Sequence, residues 1–328
     1  MKAMVYSQYG PPEMLSLQEV PTPSPKDDEV LVKVQAASVN SWDWDLLQGT
    51  YINRLIFGGF SKPKLRILGA DIAGQVEAVG QHVTQWKPGD AVFGDLCQGS
   101  WGGFAEYVCA RENALARKPI DMTYAQAASF PQAGVMALQS VRDKGKVQAG
   151  QQVLINGGGV GTFAIQMAKA YGAEVTGVDR AEKFDMMRSI GADHVIDYTR
   201  EDFTAVPNSR NKQGYDLIID VVANRTIFDY QRALSPQGIF VMVGGTMGSL
   251  AQAGFIGPLI SMTGRKKLGI LAHEPNKDLA ALIALFAAGK VIPVIDKPYP
   301  LEETAEALRH LGEGYSQGKV VITMGEDR

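Results

Sequence analysis

Hydrophobic and polar positions fall into three successive patterns along the chain. Up to about residue 120 they form short alternating runs, Glu29–Ala36, Asp71–Val79, Ala91–Gly94 and Ala105–Ala110, separated by proline and glycine clusters. Period-two runs broken in this way predict strands and turns, hence a β-rich, barrel-like domain. From about 121 to 290 the apolar runs become continuous and alternate with helical spacing. Strands are expected at Gln152–Asn156, Glu174–Val178, His194–Asp197, Asp216–Val221, Gly238–Gly244 and Lys267–Ala272, with helices between them, among them Glu182–Ile190 and Asn276–Ala288. Apolar strands interleaved with helices predict a parallel sheet covered on both faces. After 291 come an extended, proline-punctuated stretch, a helix over Leu301–Leu311 and a strand over Lys319–Met324. This tail is expected to return to the first domain, which gives an α/β chain with one domain over 1–120 and 291–328 and a second over 121–290.

One strand-to-helix junction carries chemistry. The run Val153–Asn156 passes directly into Gly157, Gly158, Gly159, Val160 and Gly161, and a helix with apolar positions at 160, 164, 167, 168 and 171 follows. Glycines let the backbone turn sharply, come close to a pyrophosphate and aim free N–H groups at it, so the segment predicts a doubly wound, Rossmann-type dinucleotide site. Gly158 and Gly161 fill two positions of the fingerprint, and Asn156 stands at the first, where a glycine is usual. Asp179 ends the next strand, 18 residues beyond Gly161. An acid there bridges the adenosine ribose hydroxyls of NAD and repels the 2′-phosphate of NADP. Against this stand Arg180 and Lys183, cations in the place where that phosphate would be held; the lean is to NADH, and either cation is equally readable as a solvated surface charge, Asp179 less so.

Composition narrows the function classes. The chain has 328 residues, 32 Lys+Arg against 35 Asp+Glu, and 45% hydrophobic residues. That balance describes an ordinary globular protein and excludes a general nucleic-acid binder. The apolar run Ala253–Met262 is too short to span a bilayer and contains Pro258, which leaves it as a core or pocket-lining segment and the chain without a membrane partner. Neither end reads as an address, and cytoplasmic residence is the default. The 36 glycines suit a chain of tight turns. The two cysteines, Cys97 and Cys109, can form neither a disulfide framework nor a four-thiolate zinc site. None of the histidines, His82, His194, His273 and His310, has a partner at metal-ligand spacing.

Several stretches taken together identify a family likeness: SVNSWDWDLLQGTY (38–51), LGADIAGQVEAVG (68–80), KPGDAVFG (87–94), GSWGGFAEYV (99–108), the glycine turn, SIGADHVIDY (189–198), GYDLIIDVV (214–222), GIFVMVGG (238–245) and GKVVI (318–322). The chain resembles the zinc-free quinone oxidoreductases of the medium-chain dehydrogenase/reductase superfamily, the zeta-crystallin-like group. The resemblance implies a GroES-like catalytic domain, a Rossmann domain, an active site in the cleft between them and a homodimer joined through the Rossmann sheets. Where zinc alcohol dehydrogenases of this superfamily carry a cysteine and a Gly-His-Glu, this sequence has Ser38-Val39-Asn40 and Gly69-Ala70-Asp71. No zinc is therefore expected, and the metal ligands are none.

Without a Lewis acid, hydride must go to an acceptor that spreads negative charge by itself, a quinone or an α,β-unsaturated carbonyl. The resemblance puts Asn40 and Tyr51 toward the nicotinamide, where an amide N–H and a phenolic O–H can donate to an enolate oxygen; from the sequence alone each is as readily a turn or packing residue. Asp43 is expected to organise the loop. Val221, Val222, Gly244 and Gly245 end strands at the carboxyl edge of the sheet and are expected to line the nicotinamide ribose, with Lys319 near the cofactor by resemblance. Two further readings remain open: an enoyl-thioester reductase of the same fold, and a nucleotide-bound sensor or scaffold without turnover.

Overall fold

The computed structural model describes residues 1–50, 54, 59–205 and 213–325. In chain order the strands are β1 (Lys2–Val5), β2 (Ser16–Glu19), β3 (Glu29–Val39), β4 (Asp71–Val79), β5 (Ala91–Asp95), β6 (Tyr107–Arg111), β7 (Ala116–Arg117), β8 (Gln152–Asn156), β9 (Glu174–Asp179), β10 (His194–Asp197), β11 (Tyr215–Asp220), β12 (Leu234–Met242), β13 (Lys267–Ile270), β14 (Ile295–Pro300) and β15 (Lys319–Thr323). They divide between two compact units. The first comprises Met1–Gln132, Pro275–Leu279 and Pro293–Arg328; the second comprises Ala133–Glu274 and Ala280–Ile292.

In the first unit the strands run in the order β14-β15-β3-β4-β5-β7, with β6 also paired to β3. Alternate residues of β3, Val30, Val32 and Val34, are buried and pack with Ile72, Trp101 and Phe104 in one core. Register decides where polar ends meet: Ser38 lies opposite Asp71, Asp71 opposite Asp95, and Val320 opposite Val39. One rim of the sheet therefore gathers Ser38–Asn40, Asp71, Asp95 and the start of β15. Helix α1 (Ser41–Gln48) leaves that rim and stops at Gly49 in the left-handed conformation (φ 62°).

The second unit is a six-stranded, all-parallel sheet in the order β10-β9-β8-β11-β12-β13. The chain winds from β8 outward through β9 to β10, then returns to the other side of β8 with β11. The carboxyl ends of β8 and β11 thus flank the point where winding reverses, which is where such sheets bind ligands. Leu154, Val178, Ile218 and Phe240, from four of these strands, form the buried core. Helix α2 (Gly158–Ala170) follows β8, and its residues Gly161 to Ala168 are buried.

Three sequence expectations change. The first unit extends to Gln132, twelve residues beyond the expected boundary, because the helix Tyr124–Ser129 packs on β3 and β4 and the Gln132 N–H donates to Asp71. The helix expected from Asn276 begins at Leu279, since Asn276 and Asp278 have φ of 59° and 64°, outside helical space. The run Ala253–Met262 is helical and largely superficial: Phe255, Leu259 and Met262 are 79%, 62% and 83% exposed, so it is no core segment.

Candidate dinucleotide and polar sites

The glycine turn is built as its chemistry requires. Gly157 and Gly158 have φ of 90° and 55°, and both initiate α2 without a side-chain cap. A Cβ on Gly157 would stand 2.7 Å from Val222 Cγ2, whereas a Cβ on Gly158 would meet nothing within 4 Å and project into open space over the helix start. The N–H groups of a first helical turn lack intrahelical acceptors and carry the positive end of the helix dipole, so this space suits a pyrophosphate. A cavity beside it is lined by Gly157, Gly158, Gly161, Thr162 and Asp179. Gly159 and Val160 lie in the same first turn.

At the end of β9, Asp179 Oδ1 accepts the Arg180 N–H at 2.8 Å and lies 3.3 Å from Lys183 Nζ. Lys183 is buried, not a solvated charge. Arg180 Nε donates to the Tyr198 hydroxyl at 2.9 Å. Carboxylate, two cations and a phenol thus cluster at the carboxyl end of β9; Tyr198 was not singled out in the sequence because nothing in its own neighbourhood signals it.

The other loops of this carboxyl edge interlock. A Cβ on Gly244 would stand 2.5 Å from the Val221 carbonyl oxygen, and one on Gly245 would stand 2.9 Å from Ala223 Cβ. Val222 is exposed at this rim, and Ala223 has φ of 38°, unusual for a residue with a side chain. Beneath them Asp220 is fully buried.

The polar rim of the first unit is a closed network. Asn40 Nδ2 donates to Asp71 Oδ2 at 3.0 Å and to the Ser38 carbonyl at 3.4 Å, while Asn40 Oδ1 accepts from Lys319 Nζ at 2.5 Å. Asp43 accepts the N–H groups of Asn40 and Gly69, each at 2.8 Å, which fixes the entry to α1 against the strand that follows. Asp71 also accepts the Gln132 N–H, and Asp95 accepts both the N–H and the thiol of Cys97. Burial pushes the Asp43 carboxyl up to about 7 and raises Asp71 and Asp95, while it lowers Lys319 against the pull of all three. Desolvation likewise keeps the Cys97 thiol protonated.

This changes the expectations for two residues. Both N–H groups of the Asn40 amide are engaged inside the protein, so it offers none to an oxyanion. Lys319, expected near the cofactor by resemblance, is buried in the first unit, where it is bonded to Asn40 and faced by carboxylates. Tyr51 lies outside the described residues. The sequence pointed to Asp71 only as part of a missing metal motif, and Asp95 not at all; their pairing is visible only in the sheet register.

The same network tests the fit of a zinc ion. Zinc needs thiolate, neutral imidazole or carboxylate lone pairs directed at one point. Here the positions offer an amide, the methyl group of Ala70 and a carboxylate already bonded twice, with a fixed ammonium on the amide oxygen. These donors do not fit zinc, and among the described residues no group of three or more His, Cys, Asp or Glu is placed to hold a metal.

Comparison with known proteins agrees with this architecture. Residues 26–120 match the alcohol dehydrogenase GroES-like domain family and residues 190–322 the zinc-binding dehydrogenase family. A quinone oxidoreductase from Lama guanicoe is 32% identical over 99% of this chain and 98% of its own. A chloroplastic NADPH-dependent alkenal/one oxidoreductase from Arabidopsis thaliana is also 32% identical, over 98% of this chain and 79% of its own. The solved quinone oxidoreductase of Coxiella burnetii superposes with a TM-score of 0.86 at 30% identity, covering 99% of each chain. The chain belongs to the medium-chain dehydrogenase/reductase superfamily, among its quinone and alkenal/one oxidoreductases.

Proposed function

We propose that the protein is an oxidoreductase that transfers hydride from a nicotinamide dinucleotide to a quinone or an α,β-unsaturated carbonyl without a metal ion. The glycine turn supports the dinucleotide. The Lys319 ammonium bonded to Asn40 carries the choice of acceptor, because a polar rim whose cation is a lysine has no place for a Lewis acid. When bound, the reduced nicotinamide supplies the hydride. The chain's own groups hold and orient: the first turn of α2 receives the pyrophosphate, Asp179 the adenosine ribose, and Val221, Val222, Gly244 and Gly245 the nicotinamide end. Quinones and enones delocalise the arriving electron pair into an oxyanion, which protonation completes. Tyr51 remains the phenol that could relay that proton.

Asp179 favours NADH, but Lys183 at 3.3 Å and Arg180 beside Tyr198 offset its repulsion of a 2′-phosphate. We therefore assign both dinucleotides, and the NADPH-dependent relative supports the second. A homodimer is supported by the outer edge of β13, unpaired among the described residues, and by exposed Ile270 on it and exposed Phe255, Leu259 and Met262 on the helical segment packed against it. No helix among the described residues is long and apolar enough to cross a membrane. Two unbridged cysteines suit a reducing compartment such as the cytoplasm. The reading is tested by following NADH and NADPH oxidation at about 340 nm against quinones, enals and enoyl thioesters. Turnover with quinones or enals is expected; cofactor binding with no oxidation by any acceptor contradicts it and makes the protein a sensor.

A further inference from the structure

Asn156 departs from the glycine fingerprint, and its side chain has a defined use. Asn156 and Asp220 are register partners at the carboxyl ends of the neighbouring parallel strands β8 and β11, at the winding reversal. Asp220 Oδ1 accepts three donors: Asn156 Nδ2 at 2.9 Å, the Val222 N–H at 2.9 Å and the Ala223 N–H at 2.6 Å. Its Oδ2 accepts the Tyr230 hydroxyl at 2.8 Å, and that ring stacks on Phe240 with centroids 4.1 Å apart. One oxygen thus grips the edge loops while the other is anchored in the core. Burial raises the Asp220 carboxyl above its ordinary value, and the four donors act against that rise.

We propose that Asp220 is the positioning residue of the dinucleotide site, tying the glycine turn through Asn156 to the 221–223 loop. The inference rests on the dinucleotide reading above. Two observations make the tie consequential. Ala223 is held at φ 38°, a conformation a residue with a side chain keeps only where its surroundings impose it, and the Asp220 oxygen imposes it through two N–H groups. Gly157 and the Val222 side chain are in contact, since a single added methyl group would overlap there, so a small shift of the loop displaces the turn. The pyrophosphate and nicotinamide ends of the site are thereby set by one carboxylate. A glycine at 156 would supply the turn but not the link.

Dissociation constants for NADPH and NADH and thermal midpoints are measured for the wild type, Asn156→Ala, Asp220→Asn, the double variant and Tyr230→Phe. Asn156→Ala and Asp220→Asn are expected to weaken binding at least fivefold. The double variant should lose no more than the weaker-binding single variant, because Asn156 acts through its bond to Asp220. Tyr230→Phe, which releases only the core-facing oxygen, should lower the thermal midpoint and leave the dissociation constant within twofold. Wild-type affinity in Asn156→Ala overturns the proposal, as does affinity that falls in step with thermal midpoint across the set. If Asp220→Asn does not fold, Asn156→Ala against Tyr230→Phe decides the matter. A wild-type chain that binds neither dinucleotide overturns the site reading itself.

Discussion

Single residues here take their meaning from desolvation. Lys319 is long and charged, and a sequence reader expects such a side chain in water or on a phosphate; burial against Asp43, Asp71 and Asp95 makes it an internal counter-charge. His273 is the opposite case. Its Nε2 is buried without a partner among the described residues, and desolvation pushes its pKa down to about 4, so the folded protein holds it neutral. Above pH 6.5, the ordinary value, folded and unfolded chains are both neutral and stability is complete. Between 6.5 and 4 the unfolded chain gains a proton that the folded one refuses, and stability falls. Urea denaturation at pH 7.5 and 4.5 should show the wild type losing about 2–3 kcal/mol more than His273→Gln, at ~1.4 kcal/mol per pH unit. Equal losses would show that the imidazole titrates freely. The turn at glycines 157, 158 and 161 and the strand that ends at Asp179 were legible because the patterns that make them are local. Asn40 was not: a side chain that donates to Asp71 and accepts from Lys319 declares itself only once β3, β4 and β15 are aligned.

Among elements, the parallel strands were the most legible. Their apolar runs are continuous, and β8 and β10 have the bounds the pattern predicts. Ends were less so where positive φ intervenes, as at Asn276 and Asp278. The apolar segment 253–262 shows the limit of periodicity. Hydrophobic composition pointed to the interior, but only Ala253 and Gly257 are buried, because the helix packs small residues against β13 and turns Phe255, Leu259 and Met262 outward. In the proposed homodimer, this outward apolar face beside a sheet edge is the surface that a second copy of the chain would cover. Ile270→Lys, which adds charge on β13, is expected to convert a dimer to a monomer in light scattering while the circular dichroism spectrum is retained. An unchanged mass would exclude this edge from the interface.

For the whole molecule, two kinds of order meet in one chain. The second unit is a dinucleotide frame that the sequence announces through one glycine turn and its strand pattern. The first is a β-rich unit whose decisive feature, a lysine in a ring of buried acids, is spread over residues 40 to 319 and surfaces only in three dimensions. The central claim joins them: hydride transfer that needs no metal, because the acceptor carries its own charge. The most direct measurement is NADPH oxidation by a quinone before and after dialysis against a chelator, with zinc counted in the same sample. Metal well below one per chain and an unchanged rate are expected. One zinc per chain, with turnover lost on chelation and restored by zinc, would contradict the account.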